Sequence, residues 1–190
     1  MRCFIALDVD ENFKKECIKL QKELKKFGIK GSYVKANNFH LTLRFFRNAE
    51  EKIALEIIQN FEKILKEKKE FRISLREKLS MFIRKDGKSI VWLGIKENRD
   101  KVKNIAKELF DITNTYVLED KDVKNFKPHF SLLRTKISTK EDEENIMKII
   151  ESFDLEITTK IKSISLYKSE LTPNGPVYSK LYRIKLEKAE

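Results

Sequence analysis

Two stretches of this chain, His40-Leu41-Thr42-Leu43 and His129-Phe130-Ser131-Leu132, follow one pattern, H-x-[ST]-L, and between them they hold both of its histidines. Each lies in a run of alternating side chains, the mark of a strand whose residues point to opposite faces in turn. Ser plus Thr are about a tenth of the chain and Leu about another tenth, so two histidines obeying the pattern by accident has odds of about one in ten thousand. The copies stand 89 residues apart, near half of the 190-residue length, and a helical pattern follows each. A duplicated unit of that kind sets two matched strands facing each other across one cleft.

The rest of the pattern fits around those strands. Alternation predicts strands at 3–9, 33–35 and 39–46. Helical spacing predicts a helix at 10–27, with Phe13, Cys17, Leu20, Leu24 and Phe27 on one stripe and Gly28 as its stop. A second helix at 50–68 carries Ile53, Ile57, Ile58, Phe61 and Leu65. Strands at 71–83 and 89–95 meet through Asp86-Gly87, a dipeptide suited to a tight hairpin. The second half reads as a helix at 100–112, a polar loop, a strand at 129–134, a helix at 138–152 and strands within 153–171. The turn from Thr172 through Pro173, Asn174 and Gly175 to Pro176 then feeds a last strand at 177–186. With 5 Gly and 3 Pro, no segment reads as a flexible linker. The expected fold is α+β, residues 1–190 forming a single domain of two closely packed lobes with antiparallel sheets inside and helices outside.

Composition narrows the chemistry. Two His with Cys3 and Cys17 show no close-spaced metal pattern, so no metal or other cofactor is expected. The cysteines read as small buried hydrophobes in a reducing compartment. Acidic residues at Asp8 and Asp10 interrupt the opening before a signal-length apolar run develops, and no later stretch approaches membrane-spanning length. A soluble, cytoplasmic protein away from membranes is expected. Lys and Arg number 41 against 30 Asp and Glu, a net charge of +11 that favours polyanionic partners such as RNA. Part of that excess has a plainer source: the charged 37% of the chain is rich in Lys and Glu, and Gln occurs only at Gln21 and Gln59, a balance seen in thermophiles.

Strict alternation places His40, Thr42 and Arg44 on one face of the first strand, with Phe39, Leu41, Leu43 and Phe45 on the other. It groups His129 and Ser131 with Leu133, opposite Phe130 and Leu132. Paired imidazoles suit phosphodiester chemistry, because displacement at phosphorus needs a proton taken from the attacking oxygen and another given to the leaving one. Thr42 and Ser131 can donate hydrogen bonds to the non-bridging oxygens. Arg44, Arg47, Lys127 and Arg134 flank the motifs and can grip phosphates. Arg134 has the stronger case, although alternation turns it away from His129 unless the strand ends or bulges there. Tyr33, Phe46, Tyr167 and Tyr178 can stack on a base, though aromatics in strands more often fill a core.

The segments HLTLRFF and PHFSLLR resemble the two signature motifs of the two-histidine (2H) phosphoesterase superfamily. The branch they resemble is the bacterial and archaeal RNA 2′,3′-cyclic phosphodiesterases, historically called 2′-5′ RNA ligases. The opening RCFIALDVD, Pro128 before the second His, and LYKSELTPNGPVYSKL at 166–181 resemble further segments of that branch, the last its S-x-L-x-x-x-G-P-x-Y. Ser131 stands where the family usually has Thr, and keeps the hydroxyl. The resemblance implies a bilobal, pseudo-two-fold fold, with two antiparallel sheets facing a central cleft. It implies opening of a 2′,3′-cyclic phosphate at an RNA 3′ end to leave a 2′-phosphate. His40 would be the acid that protonates the departing 3′ oxygen and His129 the base that activates water, an order inherited from the family. Arg134 is implied as a contact to the RNA or its terminal phosphate. The partner expected is RNA with a cyclic-phosphate end, tRNA fragments among the candidates, and the protein is expected to act as a monomer. The rival readings are 2′-5′ joining of tRNA halves in the same cleft and a non-catalytic module that binds RNA ends.

Overall fold

The computed structural model describes residues 1–65, 67–75, 79–116, 126–154 and 156–189. In chain order the first half runs β1 (Cys3–Asp8), α1 (Glu11–Lys26), β2 (Ser32–Tyr33), a short 3-10 helix (Ala36–Asn38), β3 (His40–Phe46), α2 (Glu51–Leu65), β4 (Phe71–Leu75) and β5 (Ser80–Ile83). The second runs β6 (Lys88–Gly94), α3 (Arg99–Thr113), β7 (His129–Lys136), α4 (Lys140–Glu151), β8 (Ile157–Ile161), β9 (Ser163–Thr172) and β10 (Gly175–Lys185).

Local chemistry sets the boundaries. Asp10 caps α1 by accepting from the Phe13 amide at 2.8 Å, and the helix buries Phe13, Cys17, Leu20 and Leu24 before ending near Gly28, whose φ is 79°. Thr139 opens α4 with a reciprocal capping box to Asp142. At the β5–β6 hairpin Gly87 takes φ 75°, and a Cβ there would sit 2.5 Å from the Ile137 carbonyl oxygen, so both the turn and its neighbour require glycine.

Two four-stranded antiparallel sheets result, ordered β10-β9-β1-β3 and β2-β7-β6-β5, with β4 and β8 paired apart from them. The halves share strands: β5 completes the second sheet, while β9 and β10 extend the first. The α+β class is therefore as expected, and each sheet draws on both halves of the chain. The helices bury their apolar stripes in one core that includes Cys3 and Cys17, both fully buried.

Two expectations need correction. The strand expected at 71–83 is two strands in different sheets, because β4 pairs with β8 and β5 with β6; residues 76–78 between them lie outside the described residues. The strand expected at 33–35 ends at Tyr33, after which Ala36–Asn38 tightens into the 3-10 helix that delivers His40. Most of the polar loop before His129, residues 117–125, also falls outside the described residues. Among the described residues no helix is long and apolar enough to cross a membrane.

Candidate active site

Both motif strands contain a β-bulge at the same place. In the β1–β3 pair Thr42 lies opposite Ala6 and Arg44 opposite Ile5, which leaves Leu43 as the extra residue. In the β6–β7 pair Ser131 lies opposite Trp92 and Leu133 opposite Val91, which leaves Leu132 extra. The bulge thus falls three residues after each histidine and reverses the alternation beyond it.

That reversal decides the two arginines. Arg134 rejoins the face of His129 and Ser131 and lines the cleft, while Leu133 turns inward and is fully buried. Arg44 goes the other way, so its expected place beside His40 and Thr42 is corrected. It is 5% exposed, with its guanidinium 4.1 Å from the centre of the Phe110 ring on α3. Phe45, expected on the opposite face with Leu41 and Leu43, takes the cleft position. One uncounted residue per strand produced both errors.

The cleft has a volume of about 520 Å³ and brings His40, Thr42, His129, Ser131 and Arg134 together on its walls. Ser169, Leu171, Gly175, Pro176 and Tyr178, the named positions of the late segment, line it as well. Tyr33 also reaches it, whereas Phe46 is buried and Tyr167 reaches back to Asp8. Arg47 is exposed, and Lys127 contributes through its backbone.

The histidines are held alike. His40 Nδ1 lies 2.7 Å from the Asn38 carbonyl, and His129 Nδ1 lies 2.7 Å from the Lys127 carbonyl. A carbonyl only accepts, so Nδ1 carries the proton in both rings and Nε2 is left to take or give one. His40 Nε2 lies 3.0 Å from Thr42 Oγ1. Phe4 stacks on His40 with ring centres 4.5 Å apart, and Trp92 and Phe82 meet His129 edge-on at 5.8 and 5.1 Å.

Burial drives the His40 imidazole down to about pKa 4, aided by the positive charge of Arg134 and opposed by the hydrogen bond to Asn38 and the charge of Asp8. Burial also lowers His129, against its bond to Lys127. Asp8 accepts from Ser163 at 2.5 Å and Ser165 at 2.7 Å, and from Tyr167, with Lys180 Nζ 3.3 Å away. Burial works to raise this carboxyl, yet those hydrogen bonds and the Lys180 charge outweigh it and hold it below its ordinary value.

A buried neutral His40 has a consequence for stability. The unfolded chain takes up a proton near pH 6.5 that the folded protein refuses until about pH 4, so stability present above pH 6.5 is lost as the pH falls through that window. The loss is about 3 kcal/mol. Urea unfolding of the protein and of His40→Asn between pH 7 and 4 should show a steeper decline in the former. Parallel curves would mean that His40 titrates normally.

Sequence reasoning missed Gln21, which is 4% exposed on the apolar stripe of α1. Its Nε2 donates to the Leu132 carbonyl at 2.8 Å and to the Val34 carbonyl at 2.9 Å. It is a second donor to the carbonyl of the bulge residue, which also accepts from the Val34 amide at 2.9 Å. The signal was a lone amide on an apolar stripe. In the sequence Asp8 reads only as an acidic residue that interrupts the apolar opening, because its three hydroxyl partners come from β9, distant along the chain.

Residues 9–173 match the family described as the 2′-5′ RNA ligase superfamily. A curated relative named RNA 2′,3′-cyclic phosphodiesterase, from Thermotoga maritima, is 30% identical over 188 residues, 98% of this chain and 96% of its own length. One of the same name from Methanocaldococcus jannaschii is 31% identical over 180 residues, 94% of this chain and 96% of its own. The crystal structure of E. coli LigT complexed with 3′-AMP superposes with a TM-score of 0.73 over 98% of each chain, at 20% identity, a likeness of fold.

Proposed function

The chain belongs to the 2′-5′ RNA ligase superfamily, and on that footing we propose that it is a phosphodiesterase that hydrolyses the 2′,3′-cyclic phosphate at an RNA 3′ end to a 2′-phosphomonoester. The observation that carries this reading is the pair of imidazoles on matched bulged strands, each with Nδ1 tied to a backbone carbonyl, which leaves Nε2 as the nitrogen for proton transfer, in His40 beside the Thr42 hydroxyl at 3.0 Å.

The steps follow from those atoms. His129 Nε2 takes a proton from water as the water oxygen forms its bond to phosphorus. The bond from phosphorus to the 3′ oxygen breaks, and His40 Nε2 gives that oxygen its proton. The products are a 2′-phosphate and a 3′-hydroxyl, with His129 left protonated and His40 neutral until solvent exchange resets them. Thr42, Ser131 and Arg134 donate to the non-bridging oxygens, where charge is held through the transition state. No step in this sequence calls for a metal ion.

The division of labour has support in the β1–β3 and β6–β7 registers. Asp8 is the residue opposite His40, and its negative charge favours a protonated ring there. The residue opposite His129 is Gly94, which brings no charge. An anionic diester against Nε2 adds to the effect of Asp8 and offsets the burial that keeps His40 neutral. The basic balance of the chain, +11, suits an RNA ligand whose phosphates extend past the cleft.

Product analysis on an oligoribonucleotide ending in a 2′,3′-cyclic phosphate tests the reading. A 2′-phosphomonoester end is expected, and added 5′-hydroxyl RNA should leave joined product a minor fraction. Predominant joining would instead favour the ligase reading, and tight binding without turnover the non-catalytic one.

A further inference from the structure

The two Nδ1 acceptors occupy matched positions, two residues before each histidine, yet different neighbours aim them. Between Lys127 and His129 stands Pro128, whose ring confines the residue before it to an extended backbone, so covalent geometry directs the Lys127 carbonyl. Between Asn38 and His40 stands Phe39, which imposes no such restriction. Asn38 ends a 3-10 helix of three residues, Ala36–Asn38, and its amide donates to the Lys35 carbonyl at 2.8 Å. A single turn of that kind is weak by itself.

The Asn38 side chain supplies what the turn lacks. Its Nδ2 donates to the Pro176 carbonyl at 3.0 Å, across 138 residues of chain. Pro176 lies on β10, at the edge of its sheet. A residue there whose carbonyl points out of the sheet has its amide position pointing out as well, so proline forfeits no ladder bond. The hairpin behind it is closed by Thr172 Oγ1, which donates to the Gly175 carbonyl at 2.6 Å. Further along the same strand Tyr178 meets the His40 ring edge-on, with centres 5.4 Å apart. One residue thus holds the hairpin with its side chain and the imidazole with its carbonyl.

We propose that Asn38 is a positioning residue for His40: tied to Pro176 by its side chain, it fixes the carbonyl that selects the His40 tautomer and aims Nε2, the task that Pro128 performs for His129. Its catalytic consequence rests on the reading of His40 as the leaving-group acid. When Nε2 gives up its proton the ring is left as the Nδ1–H tautomer, the one that the carbonyl stabilises. Without that acceptor the opposite tautomer is favoured, because its Nε2–H donates to Thr42 Oγ1, 3.0 Å away. Stacking on Phe4 restrains the ring plane but does not distinguish the tautomers.

The chain has two histidines, so ¹⁵N NMR can follow each ring. In long-range ¹H–¹⁵N spectra at about pH 8, where imidazoles are neutral, the wild type should show both as the Nδ1–H tautomer. Asn38→Ala and Asn38→Leu, the second keeping the side-chain volume without the donor, should turn His40 into a tautomer mixture and leave His129 unchanged. On cyclic-phosphate RNA both variants should lose about tenfold in kcat, with KM within about twofold. A His40 ring that keeps its Nδ1 proton in both variants would overturn the role. So would a raised KM at unchanged kcat, which would make Asn38 a substrate contact, or a fall in stability alone, the mark of a merely structural bond. The spectra need no substrate: a tautomer shift confined to His40, in a protein that fails to open cyclic-phosphate RNA, would keep the positioning role and sink the proposed reaction.

Discussion

His129→Ala should lower turnover of an RNA ending in a 2′,3′-cyclic phosphate by about a hundredfold or more, and by a similar factor on a substrate with a better leaving group. His40→Ala should separate the two. On RNA the departing 3′ oxygen is an alkoxide without its proton, so loss of the acid should cost about as much as loss of the base. On the 4-nitrophenyl ester of a nucleoside 2′-phosphate, the departing nitrophenolate needs no proton, and His40→Ala should retain turnover within about tenfold of the wild type. The proposed division of roles has its support in the register, where Asp8 stands opposite His40 and Gly94 opposite His129. An inverted pattern, with His129→Ala rescued by the aryl leaving group, would exchange acid and base. Rescue of neither variant by that leaving group would remove His40 from the role of leaving-group acid.

The two arginines four and five residues beyond the histidines should fail in different ways. Arg134 is exposed and lines the cleft, so Arg134→Ala should reduce kcat/KM about a hundredfold with little change in stability, the size expected when a charged donor to a phosphoryl oxygen is removed. Arg134→Lys should recover part of that loss, since a lysine supplies charge without the paired donors. Arg44 is 5% exposed against Phe110, and Arg44→Met should lower unfolding stability by about 1–3 kcal/mol while the folded fraction keeps its kcat and KM. Should Arg44→Met impair catalysis with stability unchanged, the bulge at Leu43 would be misplaced.

Much of this was legible before the fold. The helices at α1 and α2 follow from apolar stripes at helical spacing, and the cleft strands from the repeated H-x-[ST]-L. His40, Thr42, His129 and Ser131 fall where strict alternation places them because each bulge comes after the hydroxyl residue. What alternation misassigned lies just past it: Phe45 and Arg44 exchange faces, and so do Leu133 and Arg134. A bulge is one residue with no compositional mark, and Leu43 and Leu132 look like any other strand leucine. The carbonyl of Leu132 accepts from the Val34 amide and from Gln21, 111 residues away, contacts that sequence periodicity does not reveal. The division of 71–83 between two sheets is likewise a tertiary outcome, since β4 is committed by its pairing with β8.

The reaction run in ¹⁸O-water with excess chelator, and followed by ³¹P NMR, joins regiochemistry, nucleophile and metal independence in one measurement. Two histidines acting alone as acid and base should yield a 2′-phosphomonoester carrying a single ¹⁸O, at a rate the chelator does not change. A 3′-phosphomonoester, or substrate that stays intact until divalent ions are restored, would contradict the mechanism drawn from His40 and His129.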